Sequence, residues 1–182
     1  MDSIDEYIEN DAWKLHQKST VLICAPSRGG KTFLVKKIIE NLDEIFYPPK
    51  INNILYLFNR WQPLYEEMRQ IAPHIDFKQG LPEKDFIDAY ISESKNCMII
   101  MDDLIAQVYE NKDIADLFIL GCHHDSVTLL SLQQNLYPSG KFSRTLGLNT
   151  MYTILLPNPR DRLQYNILFS RIHTPTCGMI FH

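Results

Sequence analysis

Short runs of unbroken apolar residues, each ending in a polar cluster, constrain this chain more than any other feature. "STVLICA" (19–25), "NNILYLFN" (52–59), "NCMIIMDDL" (96–104), "SVTLLSLQQN" (126–135) and "NTMYTILLPNPRD" (149–161) all read as strands, and the apolar ones can only be core. Strands buried on both faces need helices above and below a mainly parallel sheet. The segments between them supply those helices. Residues 30–41 predict one, with Phe33, Leu34, Ile38 and Leu42 on one face. Further helices are expected over 63–72, 83–94, around 112–120 and over 160–172, and "HIDFKQGLP" holds a short strand and a turn. Pro82 and the acidic residues after it suit the start of the third of these helices.

With 182 residues the chain fits one α/β domain and can bury a substantial core. An acidic lead-in, residues 1–18, precedes it: Asp2, Asp5, Glu6, Glu9 and Asp11 occur with no Lys or Arg among the first eleven residues. The domain proper is expected over 19–182. The net charge of −4 argues against a protein that coats DNA. From Tyr137 onward, however, the basic residues Lys141, Arg144, Arg160, Arg162 and Arg171 face a single acidic one, Asp161, which permits local contact with a polyanion. The four cysteines form no CxxC pair, which fits a reducing compartment, and no apolar run reaches the length of a membrane span. The expectation is a soluble intracellular protein with no membrane partner.

The first strand leads into Ala25-Pro26-Ser27-Arg28-Gly29-Gly30-Lys31-Thr32, which matches G-x-x-x-x-G-K-[ST] with alanine in place of the first glycine. In such a loop the backbone N–H groups surround a phosphate, Lys31 reaches the β- and γ-phosphates, and the Thr32 hydroxyl ligates Mg²⁺. An ordinary strand-to-helix turn is the alternative, but a buried strand before and an amphipathic helix after supply the required context. Asp102 and Asp103 end the third buried strand. A carboxylate there can hold Mg²⁺ through water, and its neighbour can polarise the attacking water; a solvated Asp pair opening a loop is the other reading. No Arg-rich lid lies between Asp103 and Ser126, so hydrolysis fits better than transfer to a metabolite. Gln133, Gln134 and Asn135 end the fourth strand, where amides either sense the γ-phosphate or simply cap the strand.

"APSRGGKT", "MIIMDDL" and "HHDSVTLLSLQQNLYPSGKFSRTLGLN" together resemble the genome-packaging ATPases of the FtsK–HerA superfamily, nearest its poxvirus-type branch with polinton- and adintovirus-like members. The likeness runs roughly from Thr20 to Ile172. It implies a three-layer α/β/α P-loop NTPase with an additional strand between the loop strand and the Asp strand. It implies ATP and Mg²⁺ as ligands, Lys31 and Thr32 at the nucleotide and metal, Asp102 at the metal, Asp103 as the catalytic carboxylate and Gln134 as the sensor. It further implies a homo-oligomeric ring that moves double-stranded DNA into a capsid, with portal or vertex proteins as partners and a place in the host nucleus or cytoplasm or with the virion. An arginine acting in the neighbouring subunit's site belongs to that scheme, with Arg144 the candidate and Arg160 the reserve. Family members continue past the fifth strand and its helix, whereas this chain ends at "TPTCGMIFH", so it is expected to lack their C-terminal strands. A nucleotide kinase and a nucleotide-binding interaction module without turnover are the alternatives.

Two signals read as structural. Cys122, His123, His124 and Asp125 are adjacent and lack a distant matching pair, so a helix end leading into a strand is preferred to a zinc site. Tyr56, Phe58, Trp61 and Tyr65 are read as packing residues rather than as a base-stacking surface.

Overall fold

The computed structural model describes residues 14–121, 127–159 and 162–172. Six strands, β1 (Thr20–Cys24), β2 (Asn53–Phe58), β3 (Ile75–Gln79), β4 (Cys97–Asp102), β5 (Val127–Gln133) and β6 (Tyr152–Leu155), form one sheet in the order β3-β2-β4-β5-β1-β6. Every neighbouring pair is parallel. The strand bearing the amides, β5, therefore lies between the loop strand β1 and the carboxylate strand β4, as expected from the resemblance.

Period-two alternation sorts each apolar run onto two faces. Ile54, Tyr56 and Phe58 of β2, Met98 and Ile100 of β4, and Leu130 and Leu132 of β5 share one cluster. It is covered by α1 (Lys31–Glu40) and α3 (Leu64–Ile71), with the short α2 (Leu42–Ile45) at its margin. Leu55, Leu57, Ile99, Met101, Val127 and Leu129 point the other way. There they meet α4 (Lys84–Glu93), α5 (Ile105–Val108), α6 (Lys112–Asp116), a π-helical turn over Leu117–Gly121 and α7 (Ser143–Leu148). Leu22 and Cys24 of β1 pack on this second side against Tyr165 and Leu168 of α8 (Arg162–Ile172). Both faces of the inner strands β1, β2, β4 and β5 are filled, so those strands carry no solvated side, whereas β3 exposes two residues and β6 is half-buried throughout. Each fully buried Leu or Ile contributes about 1.5–3 kcal/mol of transfer free energy.

The structure corrects the reading of α1. Its buried residues are Val35, Ile38 and Ile39, while Phe33 is 53% exposed. Phe33 stands five residues before Ile38, about 140° away around a helix of 3.6 residues per turn, so it turns outward, and the Lys37 ammonium lies over its ring. The segment 143–148, for which no element was predicted, forms α7. Among the described residues no helix is long and apolar enough to cross a membrane.

Candidate nucleotide-binding site

The loop between β1 and α1 is built tightly enough to need its glycines. At Gly29 a Cβ would lie 2.8 Å from the Pro26 carbonyl oxygen and 2.9 Å from the Ala25 Cβ. The Gly29 N–H donates to that same Pro26 oxygen at 2.9 Å, closing the turn. Gly30, at φ 87, caps α1 in the left-handed region, and Arg28 shares that region at φ 62. Ala25 is wholly buried, and its N–H continues the ladder by donating to the Gln133 carbonyl at 3.1 Å. Alanine in place of the motif's first glycine thus extends β1 without strain.

Lys31 folds back into the loop. Its ammonium donates to the carbonyls of Ala25 at 2.7 Å and Pro26 at 3.0 Å. Burial pulls its pKa below the usual lysine value, against the opposing pull of Asp102, Cys24 and Asp103. The adjacent Thr32 points at the sheet, where its hydroxyl donates to Asp102 Oδ2 at 3.0 Å.

Asp102 is buried, at 2% exposure, on the sheet face that carries Tyr56, Met98 and Ile100. Two tyrosine hydroxyls donate to the same Oδ2: Tyr56 from β2 at 2.8 Å and Tyr65 from α3 at 3.0 Å. Burial, then the Asp102 carboxylate, pushes both phenols far above the usual tyrosine value, so both remain O–H donors. Neither was singled out in the sequence as a site residue. The one available signal was a phenol in the middle of "NILYLF", since a buried tyrosine hydroxyl needs a partner. That this partner is Asp102 depends on the β2–β4 register, which pairs Phe58 with Asp102.

Asp103, one residue on, is exposed and left-handed at φ 58. It accepts from the Gln134 amide at 3.3 Å, and Gln134 in turn accepts from the Ser27 hydroxyl at 3.1 Å. One amide thereby joins the loop to the second carboxylate. Gln133 does something different. It is 1% exposed on the opposite face, where Tyr109 donates to its side chain and its own amide donates to the Leu136 carbonyl at 3.4 Å.

Lys31, Thr32, Asp102, Asp103, Gln134 and Ser27 therefore meet at one edge of the sheet, brought there by three adjacent strand ends. Arg144 does not join them: it lies exposed in the first turn of α7, outside this hydrogen-bonded group. Arg160, like the cluster 122–125, falls outside the described residues. Among the described residues no group of three or more His, Cys, Asp and Glu side chains could hold a metal ion unaided. Thr32 and Asp102 do present hard oxygens 3.0 Å apart beside the lysine, a donor set that fits Mg²⁺ shared with phosphate oxygens.

A parallel sheet clad by helices on both faces, with a glycine-lysine-threonine loop joining its strand β1 to the helix α1, defines a P-loop NTPase fold. No protein-family model and no curated protein matches the sequence at a significant level. Among solved structures the chain is similar to the genome packaging NTPase B204 of Sulfolobus turreted icosahedral virus 2 in complex with ATP-gammaS. That match has TM-score 0.58 and 14% identity over 84% of this chain and 83% of that one. The sulfate complex of the same protein gives 0.54 and 12%, over 85% and 81% of the two chains. The cytoplasmic domain of EssC gives 0.59 and 13%, over 91% of this chain and 37% of that one. At such identities the likeness is one of fold.

Proposed function

We propose that the chain is a Mg²⁺-dependent ATPase that drives the movement of double-stranded DNA, acting as a homo-oligomeric ring in viral genome packaging and docking on a capsid portal or vertex. The observation that carries the nucleotide part is the double engagement of Gln134, which holds Ser27 of the loop and Asp103 of the carboxylate pair at once. The DNA part is supported by the sequence resemblance and by likeness of fold to a packaging NTPase solved with ATP-gammaS.

Each residue has work that its surroundings suit. The Lys31 ammonium, now shared between two neutral carbonyls, exchanges them for anionic phosphate oxygens and gains charge complementarity. Thr32 and Asp102 would hold Mg²⁺, which supplies charge neutralisation across the β- and γ-phosphates. Asp103, exposed and adjacent, orients the attacking water and takes its proton. Gln134 loses or regains its two partners as the terminal phosphate comes and goes, and passes that change to β5.

Phosphate release measured with and without duplex DNA tests the whole reading, comparing wild type with Lys31→Ala and Asp103→Asn. Release stimulated by DNA and abolished by both substitutions is expected. Transfer of phosphate to an acceptor nucleotide without DNA stimulation would assign a kinase instead. ATP binding with no release in the wild type would leave a binding module.

A further inference from the structure

The geometry points to Tyr56 and Tyr65 as a pair of positioning residues that fix the Asp102 carboxylate, and through it the Thr32 hydroxyl, for a divalent cation. This rests on the nucleotide-site reading above and assigns the two phenols to metal affinity rather than to nucleotide affinity.

Three hydroxyls from three different elements converge on one oxygen, Asp102 Oδ2: Thr32 from α1, Tyr56 from β2 and Tyr65 from α3. A threonine hydroxyl has one hydrogen and two lone pairs. With its hydrogen committed to Asp102, Thr32 has lone pairs left for a cation, and the direction they take follows from where Oδ2 is held. The phenols do the holding. Tyr65 is itself directed, because the Gln62 amide donates to its hydroxyl oxygen at 3.1 Å and leaves its single hydrogen for Asp102. Its ring is wedged among Tyr56, Phe58, Trp61 and Phe77, with centroids 4.9 to 5.5 Å away. Tyr56 is fully buried in a central strand and packs on Phe77 at 5.1 Å. A carboxylate clamped this way has little freedom to swing, which is the role that outer-shell partners play around a metal.

Buried hydroxyls can also serve stability alone, and the molecule supplies its own control. Tyr109 is a buried tyrosine whose hydroxyl bonds Gln133, on the opposite face of the sheet from Asp102. Tyr56→Phe, Tyr65→Phe and Tyr109→Phe each remove one buried hydroxyl and keep the ring.

Mn²⁺ serves as the probe. Its uptake by the protein with a non-hydrolysable ATP analogue is followed by electron paramagnetic resonance, and analogue affinity is measured separately in EDTA. In Tyr56→Phe and Tyr65→Phe the Mn²⁺ concentration for half-saturation is expected to rise about tenfold or more. Analogue affinity in EDTA is expected to stay within about twofold of wild type, and Tyr109→Phe to match wild type in both measurements. An unchanged Mn²⁺ midpoint in the Asp102 partners, or an equal rise in Tyr109→Phe, overturns the proposal. Should Tyr56→Phe fail to fold, Tyr65→Phe decides by the same criterion. Failure of the parent reading looks different: wild type and Lys31→Ala would then take up the analogue equally poorly in EDTA, and the proposal would fall with it.

Discussion

Asp103 holds its exposed carboxylate at the site by adopting φ 58, a left-handed backbone that costs an ordinary residue about 1–2 kcal/mol and that aspartate tolerates better than most. Asp103→Gly is therefore expected to gain about 1 kcal/mol in urea unfolding while losing phosphate release, whereas Asp103→Asn keeps stability near wild type. A lowered unfolding midpoint in the glycine variant would contradict the strain. Lys31 sets a second expectation. Its pKa is depressed by burial in the free protein, and a bound phosphate would raise it again. Binding then takes up a proton wherever the free lysine has begun to deprotonate, so metal-free nucleotide affinity falls as pH rises toward the alkaline side. Titrations across that range should show the fall in wild type and none in Lys31→Arg, whose guanidinium does not titrate. Lys31 and Thr32 were legible in the sequence through the glycine-rich loop motif that places them, and both aspartates and Gln134 because they stand at the end of a buried run. Tyr56 and Tyr65 were not, since a phenol inside an apolar run reads as core until a neighbouring strand's carboxylate is known to face it.

The loop element makes its own demand at Gly29, where an added Cβ would press on the Pro26 carbonyl at 2.8 Å. Gly29→Ala is expected to weaken nucleotide binding by about tenfold, or 1.4 kcal/mol, as the turn opens. Equilibrium titration checks this, with the unfolding midpoint as control, because the loop lies at the sheet edge rather than in the core. In β5 the balance reverses. Leu130 is fully buried on the face beneath α1, and Leu130→Ala is expected to cost about 2–5 kcal/mol in urea unfolding. The apolar strands were readable because their whole length is buried. Neither α2 nor α7 was read as an element of its own, since each lasts barely one or two turns and owes its shape to packing, Leu146 of α7 being buried against the second face.

Across the whole molecule the sheet is protected at its centre and open at its margins. Every residue of β4 and β5 is buried, whereas all four residues of β6 are only half-buried. Amide hydrogen exchange is expected to be slowest in β4 and β5 and fastest, among the strands, in β6 and β3. Equal protection throughout would mean that the edges are covered in solution. Strand order was not legible from the apolar runs themselves, which say that a parallel sheet exists but not which run sits beside which; only the family likeness indicated the insertion of β5. That insertion ties chemistry to counting. Gln133 and Gln134 are chemically identical, yet one anchors the interior through Tyr109 and the other spans Ser27 and Asp103. Nothing but the parity of the strand tells them apart. Slide β5 along its neighbours by a single residue and Gln133 would land in the place of Gln134 with Leu132 behind it, leaving Tyr109 to face a side chain that cannot accept its hydrogen, without a single letter of the sequence having changed.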